Sequence, residues 1–93
     1  MEKYYLISYD LRIPGRDYSA LYDEIKAIGE WQHPMESIWV VKPNNLSVSD
    51  VRERLRKQCD LNDSLFVVDI TDSGYAGWLP KSFWAWFKKS NHV

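Results

Sequence analysis

The chain has 93 residues, 45% hydrophobic and 27% charged, the makeup of one small globular domain with a thin core. With 12 basic and 13 acidic residues the net charge is −1, so no overall field draws the chain to a polyanion and any such site has to be a local patch. The single cysteine, Cys59, excludes an internal disulfide framework and a Cys-rich metal site, and it suits a reducing, cytoplasmic compartment. No stretch approaches the roughly 18 to 20 apolar residues of a membrane span, and the start lacks a signal-peptide pattern, so no membrane partner is expected.

Lys3 to Asp10 (KYYLISYD) reads as a strand. Tyr5, Ile7 and Tyr9 alternate with Tyr4 and Leu6, so both faces are apolar and the strand belongs in the middle of its sheet. Pro14-Gly15 marks a turn. Asp17 suits a helix N-cap, and Tyr18, Leu21, Ile25 and Ile28 recur on one helical face that Gly29 would end. A short strand is expected from about Trp31, with Pro34 interrupting it, and a longer one from Ser37 to Lys42 that Pro43-Asn44-Asn45 ends. Ser47 to Asp50 (SVSD) matches a capping box. It opens a second helix with Val48, Val51, Leu55 and Cys59 inward and Arg52, Arg54, Arg56 and Lys57 on exposed faces. Glu53 and Lys57 stand at ion-pair spacing. A polar turn, Asp60 to Asp63, leads to a fourth strand, Ser64 to Thr71. After a loop, Pro80 suits the first turn of a last helix, Lys81 to Lys89.

The order strand, helix, strand, strand, helix, strand predicts an α+β chain of the ferredoxin-like βαββαβ kind. Such a sandwich is a four-stranded antiparallel sheet with two helices on one face. Residues 1–93 read as one domain in which 73–93 form an aromatic C-terminal extension. Because the strands are apolar on both faces, something must cover the second face. The aromatics of the tail (Trp78, Leu79, Phe83, Trp84, Trp86 and Phe87) or a partner subunit could do so. Stacked bases or a membrane interface are other uses of such rings.

The segment Ile7-Ser-Tyr-Asp-Leu11, followed by a loop and an amphipathic helix, resembles the start of the Cas-two proteins of CRISPR spacer acquisition. VapD toxins are similar in design. The resemblance is closest to a branch called SinR-like. Its marks are Tyr9-Asp-Leu-Arg-Ile-Pro-Gly-Arg-Asp-Tyr18, Ser37-Ile-Trp39, Asn62-Asp-Ser64 and Ala76-Gly-Trp-Leu-Pro80. The likeness to the wider family covers residues 3 to 72, and the tail fits only the SinR-like branch. The resemblance implies a homodimer built on the open sheet faces and a candidate metal aspartate at Asp10. In the wider family that aspartate is linked to divalent-metal-dependent nuclease activity. Spacer-acquisition members carry a C-terminal strand where this chain has an aromatic segment.

Asp10 is therefore the candidate catalytic and Mg²⁺-binding residue, with one carboxylate from each chain at a two-fold axis. It also suits a turn cap or an ion pair with Arg12 or Arg16. If the last strand runs antiparallel beside the first, Asp63 falls near Asp10 as a second candidate metal ligand, or is simply a turn residue, and Asp69 lies at the far end, facing Lys3 or solvent. Arg12 and Arg16 are candidate phosphate forks, or they hold Asp10 and Asp17 in place. Arg52 and Arg56 are candidates for a phosphate patch, set against the ordinary reading of a solvated helix face. His33 and His92 form no zinc pattern, and Cys59 reads as a core residue at a helix end. These readings predict a dimeric RNA- or DNA-associated scaffold in a defence or toxin–antitoxin setting. The alternatives are a Mg²⁺-dependent endoribonuclease acting through Asp10, and a module that regulates by binding a small ligand or a protein.

Overall fold

A computed structural model describes residues 2–88 of the chain. The elements are β1 (Tyr5–Asp10), α1 (Ser19–Ile28), β2 (Gly29–Met35), β3 (Ile38–Pro43), α2 (Val48–Arg56), β4 (Ser64–Asp69) and α3 (Lys81–Trp86). The four strands form one antiparallel sheet in the order β2-β3-β1-β4, so the chain is an α+β sandwich of the ferredoxin-like type. β1 lies between β3 and β4, as two apolar faces require.

Strand alternation sorts the side chains into two cores. On one face Tyr5 and Ile7 of β1 and Trp39 and Val41 of β3 meet Leu21, Ile25 and Ile28 of α1 and Val51 and Leu55 of α2. On the other, Tyr4 and Val40 meet Phe83 and Phe87 from the tail. The tail thus covers one end of its own sheet. Trp78 does not take part, being 100% exposed in the loop before α3. The tail is also tied by polar contacts. The Lys88 backbone N–H donates to the Tyr4 hydroxyl at 2.8 Å, and the Trp86 indole N–H donates to Glu30 at 3.1 Å. The Lys42 ammonium lies over both the Tyr4 and Trp86 rings and pairs with Glu2 at 2.9 Å. Lys89 and His92 lie outside the described residues.

Several local expectations change. β2 is longer than expected and passes through Pro34; it is an edge strand with a register shift between Gln32 and Met35, where the missing N–H is not needed. Gly29 does not end α1 in a left-handed turn, since its backbone is extended. It is needed for close approach instead, because a Cβ there would sit 1.9 Å from the Lys42 carbonyl oxygen. Asp17 precedes α1 by two positions and accepts the Ser19 backbone N–H at 2.9 Å. The capping box of α2 forms in full, Ser47 and Asp50 each accepting the other's backbone N–H. Its exposed ion pair is Arg52–Glu53 at 3.0 Å rather than Glu53–Lys57. Cys59, half-buried, packs against the helix-side core, and burial raises its thiol pKa.

Candidate functional site

Asp10 is the last residue of β1 and pairs in register with Ser64, the first residue of β4. It shares the tail-side face of β1 with Ser8 and Leu6. It is exposed and pairs with Arg12 at 2.8 Å. A shallow recess of about 180 Å³ adjoins it, lined by Ser8, Tyr9, Ser64, Leu65 and Phe66. The Phe66 ring stands 63% exposed on this face, and Ile38 and Val68 flank Ser8 and Leu6 across the sheet. α3 leaves this end of the face open.

Asp63 is near Asp10 in sequence register but turned to the helix side. One of its oxygens accepts the Arg12 backbone N–H at 2.8 Å and the Tyr18 hydroxyl at 2.9 Å; the other accepts the Asp60 backbone N–H at 2.7 Å. Burial alone would raise its pKa, but these donors and the Arg16 charge together hold it below the usual carboxylate range. Three donors on one carboxylate make Asp63 a clasp between loops. Asp69 stands at the opposite end of β4 from Asp63, 3.7 Å from Lys3, where the register expectation puts it.

The basic candidates are mostly engaged. Arg16 reaches Asp60 and the Gln58 carbonyl, each at 3.4 Å, with its guanidinium over the Tyr18 ring. Arg56 donates to the Asp60 carbonyl at 2.8 Å, closing the C-terminal end of α2, and is half-buried rather than exposed. Arg54 is likewise half-buried and bridges to Glu24 of α1 at 2.6 Å. The row of arginines expected to be an exposed patch therefore holds the helix layer together, with Arg52 the exposed exception. Among the described residues no three His, Cys, Asp or Glu side chains converge as a metal site. One chain offers a cation at Asp10 one carboxylate beside the Ser8 and Ser64 hydroxyls; Mg²⁺ there would draw its remaining oxygens from water, phosphate or a second chain.

One group escaped sequence reasoning. On the helix side at the β2 edge, the His33 ring stacks on Trp39 at 3.8 Å and 11°, and Trp31 lies 5.2 Å from Trp39. Tyr22 of α1 stacks on the same indole, and the Trp39 N–H donates to the Tyr9 hydroxyl at 3.1 Å. The signal in the chain was the alternation Trp31-x-His33, which puts two rings on one face of one strand.

The fold and this strand-end site define a small ferredoxin-like α+β protein. No family model and no curated protein matches the sequence. Among solved structures, it is similar to the crystal structure of a hypothetical protein, TT1823, from Thermus thermophilus. The TM-score is 0.62 at 23% identity, over 86% of this chain and 96% of that one. At this identity the likeness concerns the fold alone.

Proposed function

We propose that the chain works as a homodimeric, nucleic-acid-associated scaffold, in the defence or toxin–antitoxin setting that the resemblance to Cas-two and VapD proteins suggests. The observation that carries this is the open half of the tail-side sheet face. Leu6, Ile38, Phe66 and Val68 form an apolar strip that runs to the Asp10–Arg12 pair. An apolar strip of this kind on a thin sheet marks an interaction surface. A second copy packed face to face would bury it and bring the two Asp10 carboxylates toward a common axis. Sedimentation at micromolar concentration tests this. The wild type should run as a dimer, and Phe66→Glu as a monomer with an unchanged fold. A wild type that stays monomeric, or a Phe66→Glu variant that stays dimeric, rules the seam out. Binding to RNA and DNA, measured on the same samples, tests the association itself.

A second reading follows from the exposure of Asp10 on that same face. Two copies would offer two carboxylates to Mg²⁺, enough for a metal that keeps most of its waters, and the metal would polarise a phosphoryl oxygen. The protein would then be a Mg²⁺-dependent endoribonuclease. Cleavage of single-stranded RNA that requires Mg²⁺, stops with EDTA and disappears in Asp10→Ala supports it. Cleavage that persists unchanged in the variant, or that never occurs, removes it.

A further inference from the structure

We infer that the helix-side edge of β2 is a stacking platform for an unpaired nucleobase, with Lys26 taking the adjoining phosphate. The class of ligand rests on the nucleic-acid reading above; the site does not involve Asp10 or a metal.

The platform is built from the inside out. Trp39, 2% exposed, is its floor. The His33 ring lies flat on that indole at 3.8 Å, and its Nε2 is 3.0 Å from the Glu36 carbonyl oxygen. A carbonyl only accepts, so Nε2 carries a proton and the ring is held both in plane and in direction. The Tyr9 hydroxyl donates to the same carbonyl at 3.1 Å while accepting from the Trp39 indole, which fixes the floor as well. His33 stays exposed although one ring face is spent on Trp39. The ring face turned away from Trp39 is the one left for a ligand. Beside it, Trp31 is 39% exposed. Two partly exposed rings thus sit on a rigid support, Trp31 with the Lys26 ammonium over one face, and a ligand ordered on them loses little additional freedom. Any base has a π-face that can use them.

Lys26 selects among flat ligands. Its ammonium stands 5.1 Å from the Trp31 ring centroid and makes no ion pair among the described residues. Arg12, Arg16, Arg52 and Arg54, by contrast, all face carboxylates. An aromatic group whose neighbouring cation rests on a ring and faces no carboxylate suits a ligand that joins a planar ring to an anion, which describes a nucleotide. A neutral sugar would use the ring and leave the cation idle.

The test is anisotropy of labelled short oligouridylate and oligothymidylate, read with tryptophan emission, for the wild type, Trp31→Ala, His33→Ala, His33→Phe, Lys26→Ala and Lys81→Ala. Thermal melting of each variant monitors the fold. Quenched emission and binding of either oligomer are expected, and the tighter one tells RNA from DNA as the source. Trp31→Ala and His33→Ala should each weaken binding about tenfold. His33→Phe, which keeps the flat ring, should bind within about threefold of the wild type. Lys26→Ala should lower the salt slope by about one, and Lys81→Ala, which removes an equal charge elsewhere, should leave affinity in place. Should the alanine ring variants fail to fold, Lys26→Ala against Lys81→Ala decides. Folded ring variants that bind like a wild type that itself binds overturn the platform and leave the nucleic-acid reading standing. Binding of duplex only does the same. A wild type that binds no nucleic acid overturns both.

Discussion

The Tyr18 hydroxyl donates to a carboxylate oxygen of Asp63 at 2.9 Å, and that oxygen also takes the Arg12 backbone N–H. One side chain thereby ties the β1–α1 loop, the entry to α1 and the turn before β4. Asp63→Ala strands three donors and should destabilise the fold by about 2 kcal/mol. In a domain of this size that lowers the melting temperature by roughly 8 to 16 °C. Tyr18→Phe removes one of the three donors and should cost about 1 kcal/mol. Thermal melts that show no difference between Asp63→Ala and the wild type would sink the clasp.

Acid should unfold the protein through its capping carboxylates. The Ser19 N–H lowers the pKa of Asp17, the Ser47 N–H that of Asp50, and the Thr71 hydroxyl that of Asp69. Asp63 is lowered by its donors against the opposing effect of burial. Each carboxylate binds its proton less readily folded than unfolded. The stability they contribute is present above the unfolded pKa, roughly 3.9, and is lost as the pH falls through the folded values. Urea midpoints should be level above about pH 5 and fall below about pH 4. In Asp63→Asn, with one such group removed, the acid fall should be shallower.

Gly29→Ala should be among the more damaging single-methyl changes. The added carbon meets the Lys42 carbonyl oxygen at the first β2–β3 rung, where backbone cannot step aside without unpairing the strands. A loss of about 3 kcal/mol is expected, read as a lower urea midpoint at unchanged slope. Backbone freedom is not the cause, since the residue is extended.

The two ends of the tail should behave oppositely. Phe87 is buried against Tyr4 and Phe83, so Phe87→Ala should cost about 3 to 5 kcal/mol. Trp78 touches solvent on all sides, so Trp78→Ala should change stability by less than about 0.5 kcal/mol. Equal losses in chemical denaturation would mean that the tail does not cover the sheet as described.

Asp10→Asn separates function from folding. Its bond to Arg12 is an exposed ion pair, worth under about 1 kcal/mol, so the melting curve should barely move. Loss of any Mg²⁺-dependent binding or cleavage in that variant would then report on Asp10 chemistry alone.

Local chemistry made much of this protein legible. The period of Tyr18, Leu21, Ile25 and Ile28 announced α1, and Ser47 with Asp50 announced the start of α2, because helices and caps are written within a few residues. Two apolar alternations in Tyr4 to Tyr9 placed β1 at the centre of its sheet, which the pairing with β3 and β4 shows. What only the tertiary structure decided is which groups are already spoken for. Asp63 reads in sequence as a second acid beside Asp10 or a turn residue; in the turn before β4 three donors from separate segments take its oxygens. Arg54 and Arg56 look like a solvated basic row, but Glu24 and the Asp60 carbonyl engage them. Trp31, His33 and Trp39 look like separate strand residues, but the β2–β3 pairing gathers them into one stack. The reason is common to all three. A residue's period is set by its own backbone, whereas its partners come from segments far along the chain that only the folded sheet brings within a few ångströms.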